Sequence, residues 1–194
     1  MRILAALCGS LLAGVLALSA SAHEVVNEAT LSGANESPAN GSLGTGFARV
    51  TVDLDVLSMR VEATFSGLSA SSTAAHIHCC LVDGGPPNVG VATPVPTFPG
   101  FPLGVTSGSY DQTFDLALAS SYNPAFVTAE GTLGNALNAL LLGLAAGDTY
   151  FNIHTDTNPG GEIRGLLQAV PEPELLDLLL LALGPLGAAA GRRR

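Results

Sequence analysis

A strict alternation of polar and apolar residues over residues 49–65 is the strongest constraint on the fold. Residues 49–56 read Arg-Val-Thr-Val-Asp-Leu-Asp-Val, and residues 60–65 repeat the pattern after a short turn at Leu57-Ser58. Because successive side chains of a strand point to opposite faces, such a segment has one buried face and one solvated face. The two segments predict a hairpin within an antiparallel sheet that covers a core.

Further segments have the composition of strands. They are rich in β-branched and aromatic residues and are separated by glycine, proline, asparagine and serine: residues 25–31, 74–81, 109–118, 148–155 and 162–168. With the hairpin they make seven short strands. This pattern predicts an all-β fold, an antiparallel Greek-key-like β-sandwich.

Two segments interrupt the strand pattern. Residues 83–104 contain six prolines and five glycines, which predicts a long irregular loop. Phe98 and Phe101 would order this loop through apolar contacts of its own. Residues 135–146 carry leucines at helical spacing before Gly147, which predicts one short helix capping an open end of the sandwich.

The N-terminal residues have the pattern of a signal peptide. Met1-Arg2 is followed by an apolar run over residues 3–18 and by small residues up to Ala22, so we expect cleavage between Ala22 and His23. An uncleaved membrane anchor is the alternative. The run of about 16 apolar residues is short for a span, which needs about 20.

The C-terminal segment, residues 170–194, resembles the PEP-CTERM sorting signal of bacteria. It consists of Pro171-Glu172-Pro173, an apolar stretch over residues 175–191 and the terminal Arg192–Arg194. The arginines would remain cytoplasmic and halt export. The resemblance implies transient membrane association through the apolar helix, followed by recognition and removal by an exosortase. A plain tail anchor is the alternative.

These boundaries divide the chain into a signal peptide (1–22), a folded domain (23–169) and a sorting segment (170–194). Removal of both ends would leave a protein at the cell surface or in the extracellular space. Residues 23–170 carry three arginines, no lysine and thirteen carboxylates, a formal charge of −10. Because binding to phosphate backbones depends on lysine and arginine, nucleic acid is excluded as a partner. Besides the export machinery, the predicted partners are extracellular polysaccharide or a surface protein.

Three histidines are candidate metal ligands. His76 and His78 are two residues apart on a predicted strand and therefore project from one face. In the second motif, Phe151 and Ile153 would face the core and leave His154 on the opposite face. If these strands pair, the imidazoles converge into a zinc or copper site with an open fourth position. Alternatively, the histidines hydrogen-bond to loop backbone and carboxylates and hold the Pro/Gly-rich loop down.

The same motifs carry a family resemblance. The residues Ala75–His78, then Asn152–Thr155 leading into Pro159–Gly165, and an opening strand and turn at Thr30–Pro38, resemble the CHRD (chordin) domain. The resemblance implies an extracellular all-β module with a binding or structural role and no enzymatic activity. In bacteria such domains occur singly on exported proteins.

The cysteines depart from the family pattern. Many members follow His-Ile-His with Gly-Pro, whereas this chain has Cys79-Cys80. After removal of the leader no third cysteine remains, so a vicinal disulfide, two free thiols and an intermolecular link are the options in an oxidising compartment. We expect the vicinal disulfide, which would rigidify the entry to the loop at Asp83. A His-x-His-Cys-Cys copper or zinc site is the alternative.

Two further basic residues, Arg164 and His23, have expected roles. Arg164 is expected to pair with a carboxylate such as Asp156 or Glu130 rather than with a substrate. His23 would become an N-terminal metal ligand after cleavage.

The His-x-His strand is also similar to the copper-binding stretch of copper/zinc superoxide dismutases. The remaining ligand pattern of that family is missing, so redox chemistry stays an alternative to a non-enzymatic module.

Overall fold

The computed structural model describes residues 23–83, 85 and 87–171; the predicted signal peptide and the sorting residues from Glu172 onward lie outside the described residues. The elements are, in chain order, β1 (Glu24–Ser32), β2 (Thr45–Asp53), β3 (Ser58–Ser66), β4 (Ser72–His78), β5 (Gly108–Asp115), α1 (Pro124–Glu130), α2 (Leu133–Ala146), β6 (Tyr150–Thr155), β7 (Ile163–Leu166) and β8 (Gln168–Ala169). In this part of the chain no helix has the length and apolar character needed to cross a membrane.

The strands form one strongly curled antiparallel sheet. Its order is β4-β6-β7-β1-β2-β3-β5, and β8 pairs with β1 beside β7. β4 leaves its sequence neighbour β3 and pairs with β6 at the opposite edge, so the β3–β4 connection is a crossover and not a hairpin. The predicted all-β class is therefore confirmed.

The alternating segment forms the β2–β3 hairpin. Arg49 lies opposite Glu62, and Asp53 opposite Ser58. The intervening Val50 is buried. The hairpin begins four residues before the alternation, because Thr45–Ala48 continue the pairing with the end of β3, up to Thr45 opposite Ser66.

The core lies inside the curl of the sheet. Its largest buried apolar side chains come from five strands, from α2, from the Pro/Gly-rich loop and from residues next to strand ends: Leu31, Met59, Ile77, Phe98, Leu116, Leu140, Leu144, Phe151, Ile153, Ile163 and Leu167. Phe98 is the loop's contribution; its ring stacks on Phe151 at a centroid distance of 5.9 Å. The loop is thus an ordered part of the core, as the sequence predicted.

The Pro/Gly-rich loop also covers the free edge of β4. The backbone N–H of Ile77 donates to Thr93 Oγ1 at 2.9 Å, and that of Ala75 donates to Thr97 Oγ1 at 3.0 Å. The loop backbone supplies the complementary donors, because Ala92 N–H donates to Ile77 O at 2.9 Å and Phe98 N–H donates to Ala75 O at 3.2 Å. Threonine hydroxyls and loop N–H groups therefore satisfy this edge of β4 together.

There are two α-helices in the described residues, where the sequence predicted one. α2 starts at Leu133, two residues earlier than expected, and ends at Gly147 with φ 75°. α1 has only seven residues, too few for a hydrophobic period to show. Its start was nevertheless marked by Asn123-Pro124, because Asn123 caps the helix and Pro124 occupies its first turn.

A buried carboxylate joins two loops to the end of β6. Glu162 is fully buried. Its carboxylate accepts hydrogen bonds from Ser42 Oγ, the Ser69 backbone N–H and Thr155 Oγ1, each at 2.6 Å. Burial acts to raise the pKa of Glu162, but the hydrogen bonds from Ser42, Thr155 and Ser69 outweigh it and hold the pKa below its usual value.

Glu162→Gln should lower the free energy of unfolding by about 1–3 kcal/mol, because an amide nitrogen replaces one acceptor among buried donors. Since the folded-state pKa lies below the unfolded value, the carboxylate's contribution is present above about pH 4.3 and is lost as the pH falls through the folded pKa. Urea unfolding at pH 7, 5 and 3 should show a difference between wild type and variant that shrinks with acidification. Glu24→Gln is the matched control, because it makes the same change at an exposed position. A constant difference at all three pH values would contradict this role.

Candidate metal centre

The pairing of β4 with β6 brings the predicted histidines to one face of the sheet. In the antiparallel register, His76 lies opposite Asn152, and Ala74 lies opposite His154. Side chains two residues apart share a face, so His76, His78 and His154 project together. Ile77 and Ile153 project to the other face, where both are fully buried in the core.

One nitrogen from each of the three imidazoles lies within 4.8 Å of the other two. The closest pair is His76 Nδ1 and His154 Nε2, at 3.3 Å. His76 and His78 are buried and His154 is half-buried. The cluster therefore has the size of a metal site while keeping one side closer to solvent.

Backbone carbonyls determine which nitrogen of each imidazole carries the hydrogen. His76 Nε2 lies 2.8 Å from Pro96 O, His78 Nδ1 2.7 Å from Val89 O, and His154 Nδ1 2.9 Å from the Pro159 carbonyl oxygen. Because a carbonyl only accepts, each of these nitrogens must donate. The other nitrogen of each neutral ring then has a free lone pair, which is the usual arrangement of a histidine bound to a metal.

Burial keeps the three imidazoles neutral. It lowers the pKa of His76 to about 4, with a further contribution from His154. Burial likewise lowers the pKa of His78 and His154. Neutral imidazole is the form that binds a metal, so the ligand set is available at neutral pH without the loss of protons.

The lone pairs of the cluster lack hydrogen-bond donors. His76 Nδ1 and His154 Nε2 face each other, and in the tautomers described neither carries a hydrogen. His78 Nε2 and Asn152 Oδ1 are also buried, and neither has a hydrogen-bond partner among the described residues. The Asn152 side chain lies beside the His78 ring and acts to raise the pKa of His78, against the larger lowering effect of burial. A buried group of acceptors without donors suits a cation.

An aromatic stack supports one side of the cluster. The His78 ring is nearly parallel to the Tyr150 ring, with centroids 4.5 Å apart. The Arg164 guanidinium lies over the Tyr150 ring, 4.6 Å from its centroid. Nothing in the sequence gives Tyr150 a role in this cluster. The only available signal was its position, two residues from Asn152 and four from His154 on one strand.

Arg164 has a different carboxylate partner from those predicted. Its Nε lies 3.8 Å from Glu36 Oε2, so the expected pairing with Asp156 or Glu130 was wrong. β7 pairs with β1 at Ser32, which brings the turn after β1 to Arg164. Burial raises the pKa of Glu36 to about 7, although Arg164 acts to lower it.

Glu36 was missed because nothing local marks it as buried. It belongs to an Asn-Glu-Ser turn that looks solvent-exposed in sequence. Glu162, two residues before Arg164, does not pair with it and instead binds the hydroxyl groups described above.

The two cysteines form a vicinal disulfide in the structure. Its sulfur atoms pack against α2, where a side chain at Gly143 would come within 2.8 Å of both. Disulfide sulfurs are not thiolate ligands, and the group of described residues that could hold a metal contains histidines alone. The structure therefore does not form the His-x-His-Cys-Cys site that was the alternative to the disulfide.

The remaining predicted site residues lie away from this cluster. The imidazole of His23 is exposed at the start of β1 and contacts Asp55 at 3.3 Å. Pro171 is exposed at the end of the described residues, whereas Ala22, Glu172 and Pro173 fall outside them.

Comparison with known proteins identifies the domain. No curated protein and no solved structure matched the chain. A match to the CHRD domain covers residues 28–167, which includes every strand from the middle of β1 to β7 and all three clustered histidines. The chain therefore belongs to the CHRD domain family.

Proposed function

We propose that this CHRD-domain protein is exported and binds one zinc or copper ion through His76, His78 and His154. The observation that carries the proposal is the common orientation of the three rings. Each donates one N–H to a backbone carbonyl and directs a lone pair into the same space. The bound metal serves a non-enzymatic surface module with a binding or structural role toward polysaccharide or protein.

The ligand chemistry selects the class of metal. Three neutral imidazoles suit zinc or copper, whereas calcium and magnesium require oxygen ligands. A metal here would cross-link β4 to β6 and stabilise the loop carbonyls of Val89 and Pro96 through the rings that they bind. A fourth coordination position would lie on the solvent side or beside Asn152.

The protein recovered from an exporting host should bind about one equivalent of zinc and gain thermal stability. At a zinc concentration 100 times the Kd, the gain is about 2.7 kcal/mol. Loss of an outer-sphere partner typically weakens metal binding by roughly 10–100-fold. Because His78→Gln and His154→Gln each remove a direct ligand, each should weaken zinc binding by more than that. Elemental analysis and titration calorimetry measure both effects.

His23→Gln is the matched control, because it removes an exposed imidazole outside the cluster. It should leave the zinc stoichiometry unchanged. The metal site would be contradicted if wild-type protein held less than about 0.1 equivalent of zinc or copper and showed no thermal shift when either metal was added.

Export and sorting are supported by three features. The N-terminal pattern is that of a leader, and the C-terminal Pro-Glu-Pro, apolar and arginine segments follow in the order of a sorting signal. The Cys79–Cys80 disulfide is a bond that persists outside the cytoplasm. We propose that an exosortase-type protease removes the tail and releases the domain to the surface.

Deletion of Pro171-Glu172-Pro173 should leave a membrane-retained precursor in a host with an exosortase, because the recognition motif is lost while the apolar segment and arginines remain. Immunoblots of membrane and extracellular fractions, with intact masses, measure this. Deletion of residues 188–190 is a control of equal length that retains the motif. Release of the motif-deleted protein at the wild-type mass would reject the sorting proposal.

A further inference from the structure

The tautomer of His78 depends on a single loop carbonyl. His78 Nδ1 donates to Val89 O at 2.7 Å, which leaves Nε2 as the nitrogen that faces the cluster. If Val89 O moved away, the hydrogen could move to Nε2, and the lone pair directed at a metal would be lost. Val89 belongs to the Pro/Gly-rich loop, at a point outside any helix or strand. The Tyr150 hydroxyl lies 3.4 Å from both the N and the O of Val89, and the Cys79 N–H donates to Gly90 O at 3.1 Å. The loop is thus held at and after Val89, and the residues before it need a partner of their own.

Arg164 holds the two residues that precede Val89. Its Nη1 donates to Pro87 O at 3.2 Å and to Asn88 Oδ1 at 2.7 Å. The Asn88 side chain in turn donates to Ser37 O at 2.7 Å. The guanidinium therefore attaches the loop to β7, while Asn88 attaches it to the turn after β1.

Arg164 is itself fixed from several sides. Its Nε donates to Asn35 O at 2.6 Å and faces the Glu36 carboxylate. Its guanidinium lies on the Tyr150 ring, whose opposite face stacks on His78. The side chain is only 12% exposed. A planar fork with several donors can make these contacts together, whereas an ammonium group cannot.

We propose that Arg164 is a positioning residue of the metal centre. By holding Pro87 and Asn88, it places Val89 O where that carbonyl keeps His78 in the Nδ1–H tautomer with Nε2 directed at the cluster. The importance of this placement for metal binding rests on the proposed function. The tautomer itself is a property of the metal-free protein and can be measured independently.

The test uses ¹⁵N-histidine-labelled full chain, treated with chelator, at a pH where the imidazoles are neutral. Wild type should show His78 as the single Nδ1–H tautomer. Arg164→Gln should give a mixture with the Nε2–H form, and zinc affinity should fall by about 10–100-fold. Arg164→Lys retains the charge but lacks the fork, so it should recover only part of both properties.

Two further variants separate positioning from general destabilisation. Arg60→Gln removes a guanidinium that binds Asp111 on β3 and β5, away from the strands that carry the histidines, so it should change neither the tautomer nor the zinc affinity. Asn88→Ala cuts the loop attachment while leaving Arg164 on Tyr150, and should shift the His78 tautomer in the same direction as Arg164→Gln. Asn88→Ala keeps the proposal testable if Arg164→Gln does not fold.

The outcomes distinguish the two proposals. A His78 that keeps the pure Nδ1–H form in both Arg164→Gln and Asn88→Ala overturns the positioning role, even if wild-type protein binds zinc. A tautomer shift in these variants supports the positioning role even if wild-type protein fails to bind zinc, in which case the metal function alone is rejected.

Discussion

The pairing of β4 with β6 is the interaction on which the rest of the molecule depends. It joins segments whose key residues, His76 and His154, are 78 positions apart in the chain. One face of the pair contributes Ile77 and Ile153 to the core, and the other collects the imidazoles. A shift of the register by one residue would exchange these faces, so core packing and the composition of the site are specified by the same hydrogen bonds.

Most of this arrangement was accessible from sequence because it depends on period two. The alternation over residues 49–65 determined the hairpin, and the spacing within His76-Ile77-His78 determined that both imidazoles share a face. The polar partners were not accessible in the same way. Glu36 and the carbonyl oxygen of Val89 come from turns and loops whose positions depend on the completed sheet, and a carbonyl carries no sequence signal at all.

The face that bears the histidines differs from the exposed faces elsewhere in the sheet. On β2 and β3 the outward side chains are charged and solvated, as Arg49 and Arg60 show. On β4, β6 and β7 the corresponding face is covered by the Pro/Gly-rich loop and the turn after β1. Its polar groups must then bind one another, and the chain Arg164–Tyr150–His78 is the result. Burial of a polar face explains both the lowered pKa values of the histidines and the need for a positioning guanidinium.

The threonine contacts along β4 have a consequence for the behaviour of the protein in concentrated surroundings. An uncovered edge strand recruits strands from other molecules and promotes aggregation. Thr93 and Thr97 occupy the hydrogen-bonding groups of that edge, and the same loop carries the carbonyls of Val89 and Pro96 that hold the imidazoles. One loop thus both blocks strand addition at β4 and orients the imidazoles, so loosening this loop would expose the edge to strands of other molecules.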